Sequence, residues 1–309
     1  MSEYATRYAP SPTGAMHWGH ARIALVAWLR ARQAGGRIVM RIEDLDRARV
    51  VEGAADAILE MHEWLGFDWD EGPIYQSERV ELYEAALARL RRSNLVYDCG
   101  CSRKEIVAIA SAPHGDLGPI YPGTCRANPP QNQRAVAVRF KMPSPSLPYS
   151  DPVMGSVQAG AADGDFILKR ADGVFAYQLA VVVDDAESAI AEVVRGADLV
   201  SSTPRQIALH CALGYTPPKF LHLPLVLDRA GERLSKRSNA ISIAEFRACG
   251  WSPQQVVGQL AFDLGLVRST AAISLEELLN AVSNPIVFRL RNKGDFVPSL
   301  LLPLGDSIG

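Results

Sequence analysis

The chain has 309 residues, room for about two domains at roughly 150 residues each, and a core of this size buries around three quarters of its unfolded surface. Hydrophobic residues make up 48% and charged residues 21%, which excludes a disordered chain and a collagen-like fibre. Net charge is −2, from 32 basic and 34 acidic side chains, so no overall field draws in nucleic acid and any polyanion must be held by a local patch.

The first residues, Met1-Ser2-Glu3-Tyr4-Ala5-Thr6-Arg7, have the pattern of neither a signal peptide nor a transit peptide. Residues 6–9 read as a short strand and 10–19 as a run of turn formers. Over 20–33, Ala24, Ala27, Trp28 and Ala31 recur at helical spacing, with Gly35-Gly36 as a stop. Residues 37–42 then read as a strand running into Glu43-Asp44. Strand, crossover helix and strand in this order favour a parallel α/β sheet. Amphipathic helices follow around 51–65 and 77–92, the second with Val80, Tyr83, Leu87 and Leu90 along one face.

Nine of the 20 prolines fall between residues 112 and 152, which excludes long helices there. Residues 166–170 and 174–177, joined through Asp172-Gly173, read as a hairpin. The most apolar run, 179–183, is far shorter than the roughly 20 residues of a membrane span, and a soluble, intracellular chain located in the cytoplasm is expected. Residues 189–195 are strand-like. Thr203-Pro204-Arg205-Gln206 reads as a capping box opening a helix that Gly214 closes, and 221–227 as another strand. Beyond Ser242 the pattern is helical, with starts at Ser252-Pro253 and at Ser274-Leu275-Glu276-Glu277. The expected plan is an α/β sheet domain in two halves, 1–97 and 166–241, split by an inserted module, 98–165, and followed by a helical domain, 242–309.

Four groups of residues carry chemistry. Arg7-Tyr8-Ala9-Pro10-Ser11-Pro12-Thr13-Gly14 leads to His17-Trp18-Gly19-His20 at the head of a helix. Unpaired N–H groups there hold phosphates, two histidines add donors, and glycine lets a nucleotide approach closely. Arg233-Leu234-Ser235-Lys236-Arg237 places three cations and a hydroxyl in a polar loop, suited to clamping a triphosphate. Cys99, Cys101 and Cys125 cluster beside the proline-rich loop, which in a reducing compartment points to zinc rather than a disulfide. A fourth ligand would be His114, the generic choice, or Tyr121. Cys211 and Cys249 read as plain core residues within helices. Arg7, Glu43, Tyr177 and Arg195 are isolated polar groups at predicted strand ends or a hairpin edge, where open α/β sheets bind ligands.

Together these residues resemble the catalytic half of the class I aminoacyl-tRNA synthetases, in the glutamyl/glutaminyl branch. Residues 7–20 are similar to its first ATP signature and 233–237 to its second, and Arg41-Ile42-Glu43-Asp44, Val183-Asp184-Asp185 and Val194-Arg195-Gly196-Ala197-Asp198 also match. The resemblance covers about residues 4–245 and implies a Rossmann-type parallel sheet. Trp18 fills a variable position of the first signature, and Arg233-Leu234 replaces the usual opening of the second. No region corresponds to the anticodon-binding part of tRNA-Glu-charging members. That truncation, with the cysteines, resembles a glutamyl-queuosine subfamily, which activates glutamate with ATP without tRNA and transfers it to the queuosine base in the anticodon of tRNA-Asp. The resemblance implies zinc on Cys99, Cys101, Tyr121 and Cys125, and ATP as substrate with Mg2+. It implies ATP contacts at His17, Gly19, His20, Arg233, Ser235 and Lys236, with His17, His20 and Lys236 catalytic. Glutamate would be held by Arg7, Ala9, Ser11, Glu43, Tyr177 and Arg195. The partners implied are glutamate, ATP and the queuosine-bearing anticodon loop of tRNA-Asp, with no membrane and no obligate protein partner. The rival expectations are a truncated enzyme charging tRNA-Glu and a non-catalytic tRNA-binding paralogue.

Overall fold

A computed structural model describes residues 4–102, 105, 121–128, 130, 136–158, 164–227 and 242–282. Strand β1 (Ala5–Tyr8), helix α1 (Trp18–Gln33) and strand β2 (Arg37–Ile42) form the expected unit, with β1 and β2 parallel. Helix α2 (Ala54–Leu65) leads to β3 (Glu71–Tyr75), which adds to β2 in parallel. After α3 (Val80–Arg92) come β4 (Val96–Cys99), a short α4 (Thr124–Ala127), β5 (Ala137–Phe140), the hairpin β6 (Tyr149–Asp151) and β7 (Gly155–Val157), and β8 (Phe166–Lys169). Strands β4, β5 and β8 pair antiparallel.

The α/β pattern resumes with α5 (Tyr177–Glu187), β9 (Glu192–Gly196), α6 (Thr203–Ala212) and β10 (Lys219–Leu223), β9 and β10 being parallel. The two parallel sheets meet at β1 and β9. There the Ala191 N–H donates to the Ala5 carbonyl (2.9 Å), and the Thr6 hydroxyl donates to the Glu192 carbonyl (2.8 Å). The spatial order is therefore β3, β2, β1, β9, β10, a Rossmann-like sheet. Helices α7 (Ile243–Ala248), α8 (Pro253–Asp263) and α9 (Leu275–Ala281) complete the described chain, each opened by a capping box, at Ser242, Ser252 and Ser274.

Because side chains alternate along a strand, the sheet has two chemically distinct faces. On one, Tyr8, Ile38, Met40, Ile42, Val194, Leu221 and Leu223 pack with α1 and with the helices after 242 in one apolar core. On the other, Ala5, Val39, Val193 and Phe220 form a smaller cluster. One step further along the same strands, period two brings Arg7, Arg41, Arg195 and His222 onto this second face. Helix α1 is covered on both sides, from Ala21 to Ala31. Its burial explains the run of small and apolar residues.

Several local expectations are corrected. The predicted hairpin is reduced to a single bridge between Lys169 and Phe175, and Tyr177 opens α5 instead of ending a strand. Thr203 makes no capping box: the cap is Ser202 without a side-chain bond. The Thr203 and Gln206 side chains instead accept hydrogen bonds from Arg195. Val80 is exposed, as are Cys211 in α6 and Cys249, which caps the C-terminal end of α7. The strand read at 221–227 lies at Lys219–Leu223, and β3 was not foreseen. Among the described residues, no helix is long and apolar enough to cross a membrane.

Candidate active site and metal centre

The C-terminal ends of β1, β2 and β9 and the head of α1 enclose a cavity of about 550 Å³. Arg7, Ala9, Ser11, His17, Gly19, His20, Glu43, Tyr177 and Arg195 all line it. Six expected glutamate contacts and three expected ATP contacts, spread over 189 positions of sequence, thus share one space. Arg233, Ser235 and Lys236 lie outside the described residues.

At the head of α1, His17 is the N-cap and its ring stacks on that of His20 with centroids 3.7 Å apart. A Cβ on Gly19 would come within 3.1 Å of the His17 ring, so glycine leaves that ring its place. Trp18 faces away from the cavity: it is buried, its indole N–H donates to Asp263 (2.9 Å), and it packs against Phe246. Trp18 thus anchors the head of α1 to the C-terminal helices.

At the strand ends, the cations differ in how they are compensated. Arg7 donates to Asp185 (3.3 Å) and to the Val194 carbonyl (3.3 Å). Arg41 lies beneath the cavity, fully buried, between Asp185 (2.6 Å) and Glu43 (3.1 Å). Burial pushes the Asp185 carboxyl up, but Arg41 and Arg7 outweigh it and hold the group below the ordinary carboxylate range. Asp184, next along α5, accepts from Gln76, Arg79 and Tyr83 at 2.7–2.9 Å. Arg195 is equally buried, yet its partners are neutral: His222 (3.0 Å), Gln206 (2.7 Å), Thr203 (2.7 Å) and the Leu199 carbonyl (3.3 Å). Burial lowers its pKa. Among the described residues no carboxylate forms an ion pair with Arg195. A buried cation held only by neutral acceptors suits an anionic ligand. Glu43 offers the opposite charge on the other wall; burial raises its pKa, and Arg41 pulls it back.

The cysteines form a second centre. The sulfurs of Cys99, Cys101 and Cys125 lie within 4.8 Å of one another. The Tyr121 hydroxyl is 3.4 Å from the Cys99 sulfur and 3.6 Å from that of Cys101. Tetrahedral zinc bonds of about 2.3 Å to sulfur and 2.0–2.2 Å to oxygen place a sulfur and an oxygen roughly 3.5 Å apart. The donor set and its spacing therefore fit a zinc ion. The Cys125 N–H donates to the Tyr121 oxygen (2.8 Å), and reciprocal bonds between Ser102 and Glu105 form a capping box after Cys101. His114 lies outside the described residues. Sequence reasoning passed over Arg139, whose guanidinium donates to the Cys99 sulfur (3.2 Å) and covers the Tyr121 ring at 3.9 Å. Arg41 and Asp185 stood in matched segments but were given no role, and Asp151 and His222 were passed over; for His222 the signal was a polar residue inside an apolar strand.

The comparisons with known proteins agree with this geometry. The family model of class I tRNA synthetases (E and Q), catalytic domain, matches residues 3–284. The chain is 50% identical over 291 residues to the Glutamyl-Q tRNA(Asp) synthetase of Symbiobacterium thermophilum, covering 88% of this chain and 90% of that one. It is likewise 50% identical over 265 residues to that of Deinococcus radiodurans, covering 84% and 88%. Among solved structures, a glutamate tRNA ligase from Elizabethkingia meningosepticum in complex with its amino acid superposes with a TM-score of 0.81 at 25% identity. That match spans 96% of this chain and 67% of the other. With the family model matching almost from end to end and relatives 50% identical over most of both chains, this chain belongs to the class I tRNA synthetases of the glutamyl and glutaminyl type.

Proposed function

We propose that the protein activates L-glutamate with ATP and transfers the glutamyl group to the queuosine base in the anticodon of tRNA-Asp. Activation without tRNA is part of the proposal. The observation that supports it most is the buried Arg195 guanidinium, held by neutral acceptors and facing the same cavity as His17 and His20. The naming of relatives 50% identical to this chain supports the choice of acceptor.

In this reading Glu43, Ser11 and the backbone at Ala9 hold the ammonium end of glutamate, and Arg7, Tyr177 and Arg195 share its carboxylates. A carboxylate oxygen of the substrate attacks the α-phosphorus of ATP, the α–β bridging bond breaks, and pyrophosphate leaves. Next, a hydroxyl of the queuosine cyclopentene diol attacks the glutamyl carbonyl, an ester bond forms, and AMP departs. Both nucleophiles belong to substrates, so the protein supplies positioning and charge. His17, Gly19 and His20 face the phosphates, with Arg233, Ser235 and Lys236 assigned to the triphosphate and Mg2+ accompanying ATP. Zinc on Cys99, Cys101, Tyr121 and Cys125 is structural, since four protein ligands leave no open position.

The deciding experiment charges tRNA-Asp with radioactive glutamate, with and without queuosine, digests it and locates the label. Alkali-labile label in the anticodon loop, only on queuosine-bearing tRNA, is expected. Label on the terminal adenosine would overturn the reading in favour of an enzyme that charges tRNA-Glu. Absence of glutamate-dependent pyrophosphate exchange would leave a non-catalytic tRNA-binding protein.

A further inference from the structure

Register places His222 of β10 directly opposite Arg195 of β9, on the sheet face that bears the cavity. His222 is fully buried, and its two ring nitrogens do different things. Nδ1 lies 2.7 Å from the Asp151 carboxylate, and Nε2 lies 3.0 Å from the Arg195 Nε–H. Asp151 comes from β6, remote in sequence, and faces donors on every side. Its Oδ2 also accepts the His222 backbone N–H (2.9 Å), and its Oδ1 accepts the N–H groups of Val153 and Met154 (2.8 Å each).

An ionised carboxylate with only donors around it fixes the ring proton on Nδ1. Nε2 then presents a lone pair to Arg195 and to the Thr203 hydroxyl, 3.2 Å away. The opposite tautomer would set N–H against N–H. Burial keeps His222 less basic than an ordinary imidazole, in line with a neutral ring. Of the five guanidinium N–H groups of Arg195, four go to His222, Gln206, Thr203 and Leu199. These acceptors set the plane of the group without cancelling its charge.

We propose that Asp151 and His222 act as a positioning relay that fixes the Arg195 guanidinium for the substrate carboxylate, so that the β6–β7 hairpin takes part in amino-acid selection. The proposal rests on the reading that Arg195 binds a glutamate carboxylate. Neither Asp151 nor His222 touches substrate. Their effect passes through Arg195.

The test is pyrophosphate exchange by the full chain at saturating ATP, with glutamate or glutamine varied, alongside thermal unfolding. His222→Phe keeps a ring but loses the acceptor; on the order of a tenfold rise in glutamate KM is expected, with kcat little changed and glutamate-over-glutamine selectivity falling in parallel. His222→Gln, whose Oε1 can stand near the Nε2 position, is expected to recover most of the loss. Asp151→Asn keeps the acceptor for Val153 and Met154 but turns an amide N–H toward Nδ1. The ring proton is thereby driven to Nε2, and the KM rise of His222→Phe should be reproduced. If His222→Phe does not fold, Asp151→Asn decides. Variants that melt like the parent and keep its KM and selectivity, while Arg195→Ala loses both, overturn the relay and leave the reading of Arg195 standing. If Arg195→Ala changes neither quantity, that reading fails, and the relay with it.

Discussion

Asp185 sits between Arg7 and Arg41 where almost no water reaches, and each of the three would be intolerable there alone. Removing one member of such a cluster leaves an uncompensated buried charge, which costs about 3–5 kcal/mol. Asp185→Asn is therefore expected to lower unfolding free energy by that order in a urea titration at neutral pH. The carboxyl is depressed in the folded state by Arg41 and Arg7, against the opposing effect of burial. Its contribution is thus present above the unfolded value of about 3.9 and lost as pH falls through the folded one. The gap between parent and variant should narrow in acid. In the proposed function the comparable cost at Arg195 would fall on the wrong substrate, because an amide in place of a carboxylate would leave the guanidinium unmatched. The same 3–5 kcal/mol corresponds to roughly 10²–10⁴ in selectivity. Arg195→Ala should erase most of the preference for glutamate over glutamine in exchange kinetics; unchanged selectivity would shift the role to Arg7.

At the scale of elements, Cys99, Cys101, Tyr121 and Cys125 bring the end of β4 and α4 together. A divalent ion bound there would only partly neutralise three thiolates and a phenolate, and Arg139, bonded to Cys99 and lying over Tyr121, would offset part of the remainder. Metal analysis of protein prepared without chelators is expected to give one zinc per chain, with Tyr121→Phe weakening retention and His114→Ala leaving it unchanged. The reverse result would replace the phenol by the imidazole. These local features were readable in advance, because their information lies within a few residues: C-x-C spacing, the helix starts at Ser252 and Ser274, the period of α1. The box at Thr203 failed for a reason no local rule contains, since Arg195 claims both side chains. Strand β3 escaped notice because Glu71-Gly72-Pro73 carries no alternation of apolar residues. The pairing of Arg41 with Asp185, 144 positions apart, depends on register and could not be seen in the sequence. The cavity residues were found through motif resemblance, whereas the partners that orient them were not.

Across the whole molecule, one apolar core joins β1, β2 and α1 to β9, β10 and the helices after 242. The C-terminal helices are therefore part of the catalytic unit's own interior. Phe246 packs between Trp18 at the head of α1 and Trp251. Truncating a buried phenylalanine costs about 3–5 kcal/mol. Phe246→Ala should destabilise the protein by that order and, by loosening the head of α1 that carries His17 and His20, lower the exchange rate as well. Tryptophan fluorescence and far-ultraviolet dichroism should still report a single coincident transition. Separate transitions would show that the tail unfolds on its own.

The junction of β1 with β9 has a consequence in time as well as in space. Ala5 and Thr6 complete their hydrogen bonding only with residues 186 positions downstream. A ribosome adding about 5–20 residues per second needs roughly 10–40 s to deliver them. Throughout that interval β1 can pair only with β2, and what becomes the middle of the sheet is an open edge that other chains can join. Synthesis therefore passes through a long stage in which the N-terminal part of the cavity lining exists as sequence but has no closed sheet beneath it. The yield of folded protein then depends on how well that edge is guarded while the second half is being made.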